Sequence, residues 1–82
     1  MGKKRAKRDT YLYELKDRRK TVYIGITDDP KRREQEHRDE GKKFTKMKVN
    51  FPCSKDTAIK REQERIEQYK RSHRGKKPRE HD

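Results

Sequence analysis

Residues 10–27 read TYLYELKDRRKTVYIGIT, and their pattern decides the fold. Residues 10–16 and 21–27 are rich in aromatic and β-branched side chains, which favour a pleated, half-buried surface, so each is predicted to be a strand. The polar stretch Asp17-Arg18-Arg19-Lys20 between them predicts a hairpin. Gly25 falls inside the second strand, where a glycine marks a bulge or a close approach by another group.

Past the hairpin, Thr27-Asp28-Asp29-Pro30 reads as a helix start, with Asp29 as N-cap and Pro30 at the first helical position. Gly41 predicts its end. No apolar residue lies between them, so this helix is predicted from its start and stop signals and not from periodicity. Residues 44–51 alternate, with Met47, Val49 and Phe51 facing one way and Lys46, Lys48 and Asn50 the other, as in a half-buried strand. Pro52 stops that strand, and Ser54 can cap a helix to about Arg71 with the apolar stripe Ala58, Ile59, Ile66 and Tyr69. The predicted fold is α+β, in the order ββαβα, with a three-stranded, mainly antiparallel sheet flanked by helices.

Composition sets tight bounds on that fold. Of 82 residues, 51% are charged and 23% hydrophobic. Leu, Ile, Val and Phe make up about 12%, under the ~20% below which a highly charged chain is ordinarily disordered. Clustering offsets the shortage, because the hydrophobic residues concentrate between Tyr11 and Ile26 and between Phe44 and Tyr69. Two such patches can share one thin core. No run approaches the ~18 apolar residues of a membrane span, and no apolar signal follows the basic N-terminus, so no membrane role and a cytoplasmic, nucleoid-associated or (in a eukaryote) nuclear setting are expected. Cys53 is the only cysteine, which excludes an intramolecular disulfide.

The net charge of +12 points to a polyanion, with nucleic acid foremost. Much of the excess sits at the ends. Lys3, Lys4, Arg5, Lys7 and Arg8 make a flexible basic arm at 1–8, and 72–82 is expected to be a basic, flexible tail, leaving a domain at 9–71. Arg32, Lys42 and Lys43 add candidate phosphate contacts within the domain.

Three constellations carry chemistry. Tyr11, Tyr13 and Tyr23 stand on adjacent strands near Gly25; the commonplace alternative is tyrosines filling a small sheet. Arg33 and His37 are spaced i,i+4 on one helix face, and a guanidinium beside an imidazole suits a scissile phosphate, although a merely solvated charged face has the same spacing. Glu62 lies within the apolar stripe between Ile59 and Ile66. A carboxylate turned inward there calls for a cation, unless its stem packs while its head reaches water. The histidines and Cys53 have no zinc-ligand spacing.

Taken together, Tyr11-Leu12-Tyr13, Tyr23-Ile24-Gly25-Ile26-Thr27, Asp29-Pro30-Lys31-Arg32-Arg33 and His37, followed by Ala58 and Glu62, resemble the GIY-YIG nuclease superfamily. The resemblance spans residues 10–71 and implies the same ββαβα order. It implies that Tyr13 and Tyr23 orient or deprotonate an attacking water, that Arg33 stabilises phosphoryl charge, and that His37 supports the phosphate or transfers a proton. Glu62 would hold one Mg²⁺ or Mn²⁺, and all five residues would converge on one concave face. The activity implied is endonucleolytic hydrolysis of DNA, leaving 5′-phosphate and 3′-hydroxyl ends. Its target would be chosen by DNA structure, branched or damaged, or by a partner protein, with RNA left open. The alternatives are a non-catalytic nucleic-acid-binding module on the same scaffold and an adaptor whose arms order on binding a partner.

Overall fold

The computed structural model describes residues 8–80, so the candidate contacts at Lys3, Lys4, Arg5 and Lys7 lie outside the described residues. Five elements follow in order: β1 (Tyr11–Asp17), β2 (Lys20–Thr27), α1 (Pro30–Asp39), β3 (Lys46–Val49) and α2 (Lys55–Ser72). The strands form one antiparallel sheet in the order β2-β1-β3. The α+β, ββαβα architecture is therefore as the sequence predicts.

The hairpin is tighter than the four polar residues suggest. Asp17 pairs with Lys20, leaving only Arg18 and Arg19 in the turn, with Arg18 at φ 61°. Two-residue hairpins require positive φ to match strand twist. Here the Arg18 N–H donates to Thr45 Oγ1 at 2.9 Å, which ties the turn to the chain entering β3. The register slips between Leu15 and Lys16, because Leu15 faces Tyr23 while Lys16 faces Thr21. Val22 is the extra residue of this bulge, and it is buried.

Alternation along β1 divides the molecule into two layers. Tyr13 and Leu15 face one way and join Val22 and Phe44 in the core, with Tyr23 and Met47 packed against them. Leu12, Glu14 and Lys16 face the other way, toward α2. Arg65 of α2 donates to both Glu14 carboxylate oxygens, Nε to Oε2 at 3.0 Å and Nη2 to Oε1 at 3.1 Å. Lys16 and Thr21 complete the surroundings of Glu14. Burial alone would push the Glu14 carboxyl up, but the Arg65 and Lys16 cations outweigh it and hold its pKa below the ordinary value.

Both helices are capped as expected. Asp29 accepts from the Arg32 N–H and Ser54 from the Thr57 N–H. Helix α1 buries only His37 and is held by its ends and by surface pairs such as Arg38–Glu34. At its C-terminus, Gly41 (φ 83°) donates to the Arg38 carbonyl and Lys42 to the His37 carbonyl. This is a Schellman arrangement, and it fixes where Lys42 projects.

Three expectations need correction. The third strand ends at Val49 and not at residue 51, and the side chains predicted to face inward do so decreasingly: Met47 is half-buried, Val49 is 40% exposed and Phe51 is 91% exposed. β3 is an edge strand, and beyond it the pairing with β1 takes on an extra residue between Asn50 and Cys53. Ile59 lies on the rim of α2 at 36% exposure, because the inward face runs Ala58, Glu62, Arg65, Ile66 and Tyr69. Finally, residues 78–80 do not trail free. Pro78 is fully buried, the Arg79 guanidinium donates to Asp17 and to the Lys43 carbonyl, and the Glu80 N–H donates to the Val22 carbonyl at 2.7 Å. Among the described residues, no helix is long and apolar enough to cross a membrane.

Candidate active site

The four residues singled out as catalytic meet on the Tyr13 face. β1 supplies Tyr13, its neighbour β2 supplies Tyr23 and Gly25, and α1 brings Arg33 and His37 one turn apart. Tyr13 Oη lies 2.7 Å from His37 Nε2, both groups buried. The Tyr13 and Tyr23 rings stack with centroids 6.0 Å apart and planes inclined by 20°. The Tyr23 ring also lies 4.6 Å from the His37 ring. Gly25 makes this assembly possible. A Cβ there would stand 2.7 Å from Tyr13 Oη and 2.8 Å from Tyr23 Cε1, so a side chain at residue 25 and the two rings cannot share the space.

The electrostatics follow from burial and from two cations. The Arg33 guanidinium lies beside the two tyrosines and is held by Glu36 at 2.8 Å. Lys42, delivered by the turn after α1, sits 5.3 Å from the Tyr23 ring centroid and 2.6 Å from Glu40 Oε1. Burial, then the charges of Arg33 and Lys42, depress the His37 pKa, so its imidazole is neutral at physiological pH. Burial pushes the Tyr13 hydroxyl up, with Tyr23 adding to it, so Tyr13 keeps its proton in the resting protein. Tyr13 Oη and the neutral His37 Nε2 are joined by that 2.7 Å hydrogen bond. His37 Nδ1 is left buried without a hydrogen bond, since Glu40 Oε1 stands 3.4 Å away but out of line.

Glu62 is half-buried on α2, one turn before Arg65. Of the five residues expected to converge, Tyr13, Tyr23, Arg33 and His37 are joined by contacts, none of which includes Glu62. Glu62 has no hydrogen-bond or ion-pair partner among the described residues, and burial raises its carboxyl pKa. An unpartnered oxygen donor is the right chemical type for a hard divalent cation. However, no group of three or more His, Cys, Asp or Glu among the described residues could hold a metal ion.

The residues proposed for phosphate contact are dispersed. Arg32 is exposed and paired with Asp28 and Glu36, Lys42 borders the tyrosine cluster, and Lys43 and Arg8 are exposed. The Glu14–Arg65 pair was not visible in the sequence, because the two residues are 51 positions apart. A groove of about 990 Å³ lies along α2, but its lining of Leu12, Ile66 and scattered surface charges brings no reactive groups together. Compared with models of protein families, with curated proteins and with solved structures, the chain matches none.

Proposed function

We propose that the chain is a small GIY-YIG-type endonuclease that hydrolyses DNA phosphodiester bonds, selecting its target by structure and not by extended sequence. The observation that carries this reading is the meeting of Tyr13, Tyr23, Arg33 and His37 in one packed cluster, built from the motifs that resemble the superfamily. Arg33 and Lys42 present the positive charge that a scissile phosphate gains from as negative charge builds on its oxygens. Tyr23, the more exposed of the two tyrosines, would orient the attacking water. Tyr13 Oη would take a proton while passing its own to His37 Nε2, a nitrogen kept free to accept it by the depressed His37 pKa. Glu62 would hold the Mg²⁺ or Mn²⁺. When bound, such an ion neutralises phosphate charge and stabilises the leaving oxygen. Glu62 supplies the hard oxygen donor that such an ion requires. A cytoplasmic or nucleoid setting accords with a DNA substrate.

One observation favours a second reading, a non-catalytic nucleic-acid-binding module. Tyr13 is 1% exposed and His37 0%, so neither group is open to substrate in the resting protein. Incubation with supercoiled plasmid, with and without Mg²⁺, separates the two. Nicking that requires the ion supports the enzyme, whereas a gel shift without nicking supports the binding module.

A further inference from the structure

Phe51 is 91% exposed in a chain that has only two phenylalanines and a thin core. Its exposure is built by the backbone. Tyr13 pairs with Val49, and the Asn50 N–H donates to the Leu12 carbonyl at 2.9 Å, both in regular register. The next contact is the Thr10–Cys53 bridge, with N–H to O distances of 3.0 and 2.8 Å. Continued in register, Thr10 would face residue 52, so one extra residue enters the strand at Phe51-Pro52. Pro52 has no N–H to leave unpaired there. Bulges at sheet edges and beside active sites re-aim side chains. Here Phe51 is left as an exposed ridge between two grooves of about 490 and 1020 Å³.

The surroundings of the ridge are cationic. Arg61 lines both grooves and Arg8 lines the second, and neither guanidinium has an ion-pair or hydrogen-bond partner among the described residues. An apolar ring flanked by two unpaired guanidinium groups complements a nucleobase between two phosphates. It does not complement the apolar face of another protein. Resting on the nuclease reading, which supplies the substrate class, we infer that Phe51 is a stacking wedge for an unpaired or readily unstacked base. Arg8 and Arg61 take the flanking phosphates, and the wedge lies two residues past the strand partner of Tyr13. Apolar wedges of this kind insert at base steps that are easily unstacked. The ridge thereby gives the domain a preference for forked or nicked DNA over continuous duplex.

The test is binding without metal, in EDTA, so that cleavage plays no part. A forked oligonucleotide and a fully paired duplex with the same number of phosphates are titrated with wild type, Phe51→Ala and Phe51→Trp. Stacking on one base predicts that Phe51→Ala weakens fork binding by about 5- to 150-fold. It should leave duplex binding nearly unchanged, and Phe51→Trp should retain the fork preference. Equal fork affinity for wild type and Phe51→Ala overturns the wedge. So does a sedimentation shift showing that Phe51→Ala dissolves a dimer without altering fork preference, since the ridge would then join copies of this chain. A protein that binds forks through Phe51 but never nicks plasmid refutes the nuclease and leaves the wedge standing. Nicking with no role for Phe51 does the reverse.

Discussion

Gly25→Ala tests how closely the tyrosine cluster is built around a missing side chain. The φ of Gly25 is not in the left-handed region, so the added methyl brings no backbone strain, and its effect is purely one of space. In an ordinary strand, alanine in place of glycine stabilises by about 0.5–1 kcal/mol. Here the Cβ would lie 2.7 Å from Tyr13 Oη, 2.8 Å from Tyr23 Cε1 and 2.9 Å from Tyr13 Cζ. These are atoms of ring systems packed against His37, not the ends of flexible chains. Overpacking of this kind costs about 1–3 kcal/mol. The net loss should be on the order of 1–2 kcal/mol, lowering the melting midpoint by about 4–16 °C for a domain of this size. Tyr13→Phe removes the nearest clashing atom, so the double variant should lose less than the sum of the two single losses, a coupling read by a double-mutant cycle in urea. The rings must also part from His37, and as water enters, its pKa should rise toward the ordinary value in an NMR titration. A Gly25→Ala protein as stable as wild type, with His37 titrating unchanged, would refute the close packing.

Other tests reach different parts of the molecule. The folded pKa of His37 lies below its ordinary value of 6.5, so the unfolded chain binds this proton first. Its contribution to stability is intact above about pH 6.5 and is lost as pH falls from there through the folded pKa, which melting curves paired with NMR titration of His37 will follow. Glu14 is also depressed, from 4.5, so its contribution is present above that value and disappears as pH falls through its folded pKa. Arg65→Met should remove that acid dependence and destabilise by at most about 3–5 kcal/mol, the range for breaking a fully buried pair, since Arg65 is partly solvated. Glu62→Gln removes the charge a divalent ion requires. It should weaken Mn²⁺ binding measured by electron paramagnetic resonance and cut nicking while sparing DNA binding, and unchanged Mn²⁺ affinity would exclude Glu62 as a ligand.

Local chemistry made most of the fold legible. The aromatic and β-branched runs mark β1 and β2, while Asp29-Pro30, Gly41 and Ser54 mark helix ends through hydrogen bonds made within a few residues. Such signals need no knowledge of the tertiary fold. What the sequence hid depends on partners far along the chain or on a shift of one residue. Period-two alternation placed Phe51 inward, but the paired strand ends at Val49 and Phe51 is left exposed, and alternation carries no mark of where an edge strand ends or a bulge falls. Ile59 fits an apolar stripe on paper, yet the pairing of Arg65 with Glu14 helps set how α2 is rotated on the sheet. The tail looked like a solvated charge run because Arg79 meets Asp17 and Lys43 only after folding. The same limit applies to the site. Motif spacing brought Tyr13, Tyr23, Arg33 and His37 to notice, but it could not reveal that Tyr13 and His37 are buried.

The central claim is that the Tyr13–Tyr23–Arg33–His37 cluster hydrolyses phosphodiester bonds, and Arg33→Ala tests it most directly. Arg33 is partly exposed, so its loss leaves the core in place, while the cluster loses the cation that meets the phosphate. Single-turnover nicking of supercoiled plasmid in Mg²⁺ would be measured beside a gel shift on the same preparations. The account predicts that wild type nicks, leaving 5′-phosphate ends, and that Arg33→Ala nicks about 100- to 1000-fold more slowly with binding reduced far less. Equal nicking by the two proteins, or DNA binding by folded wild type with no nicking at all, would contradict it.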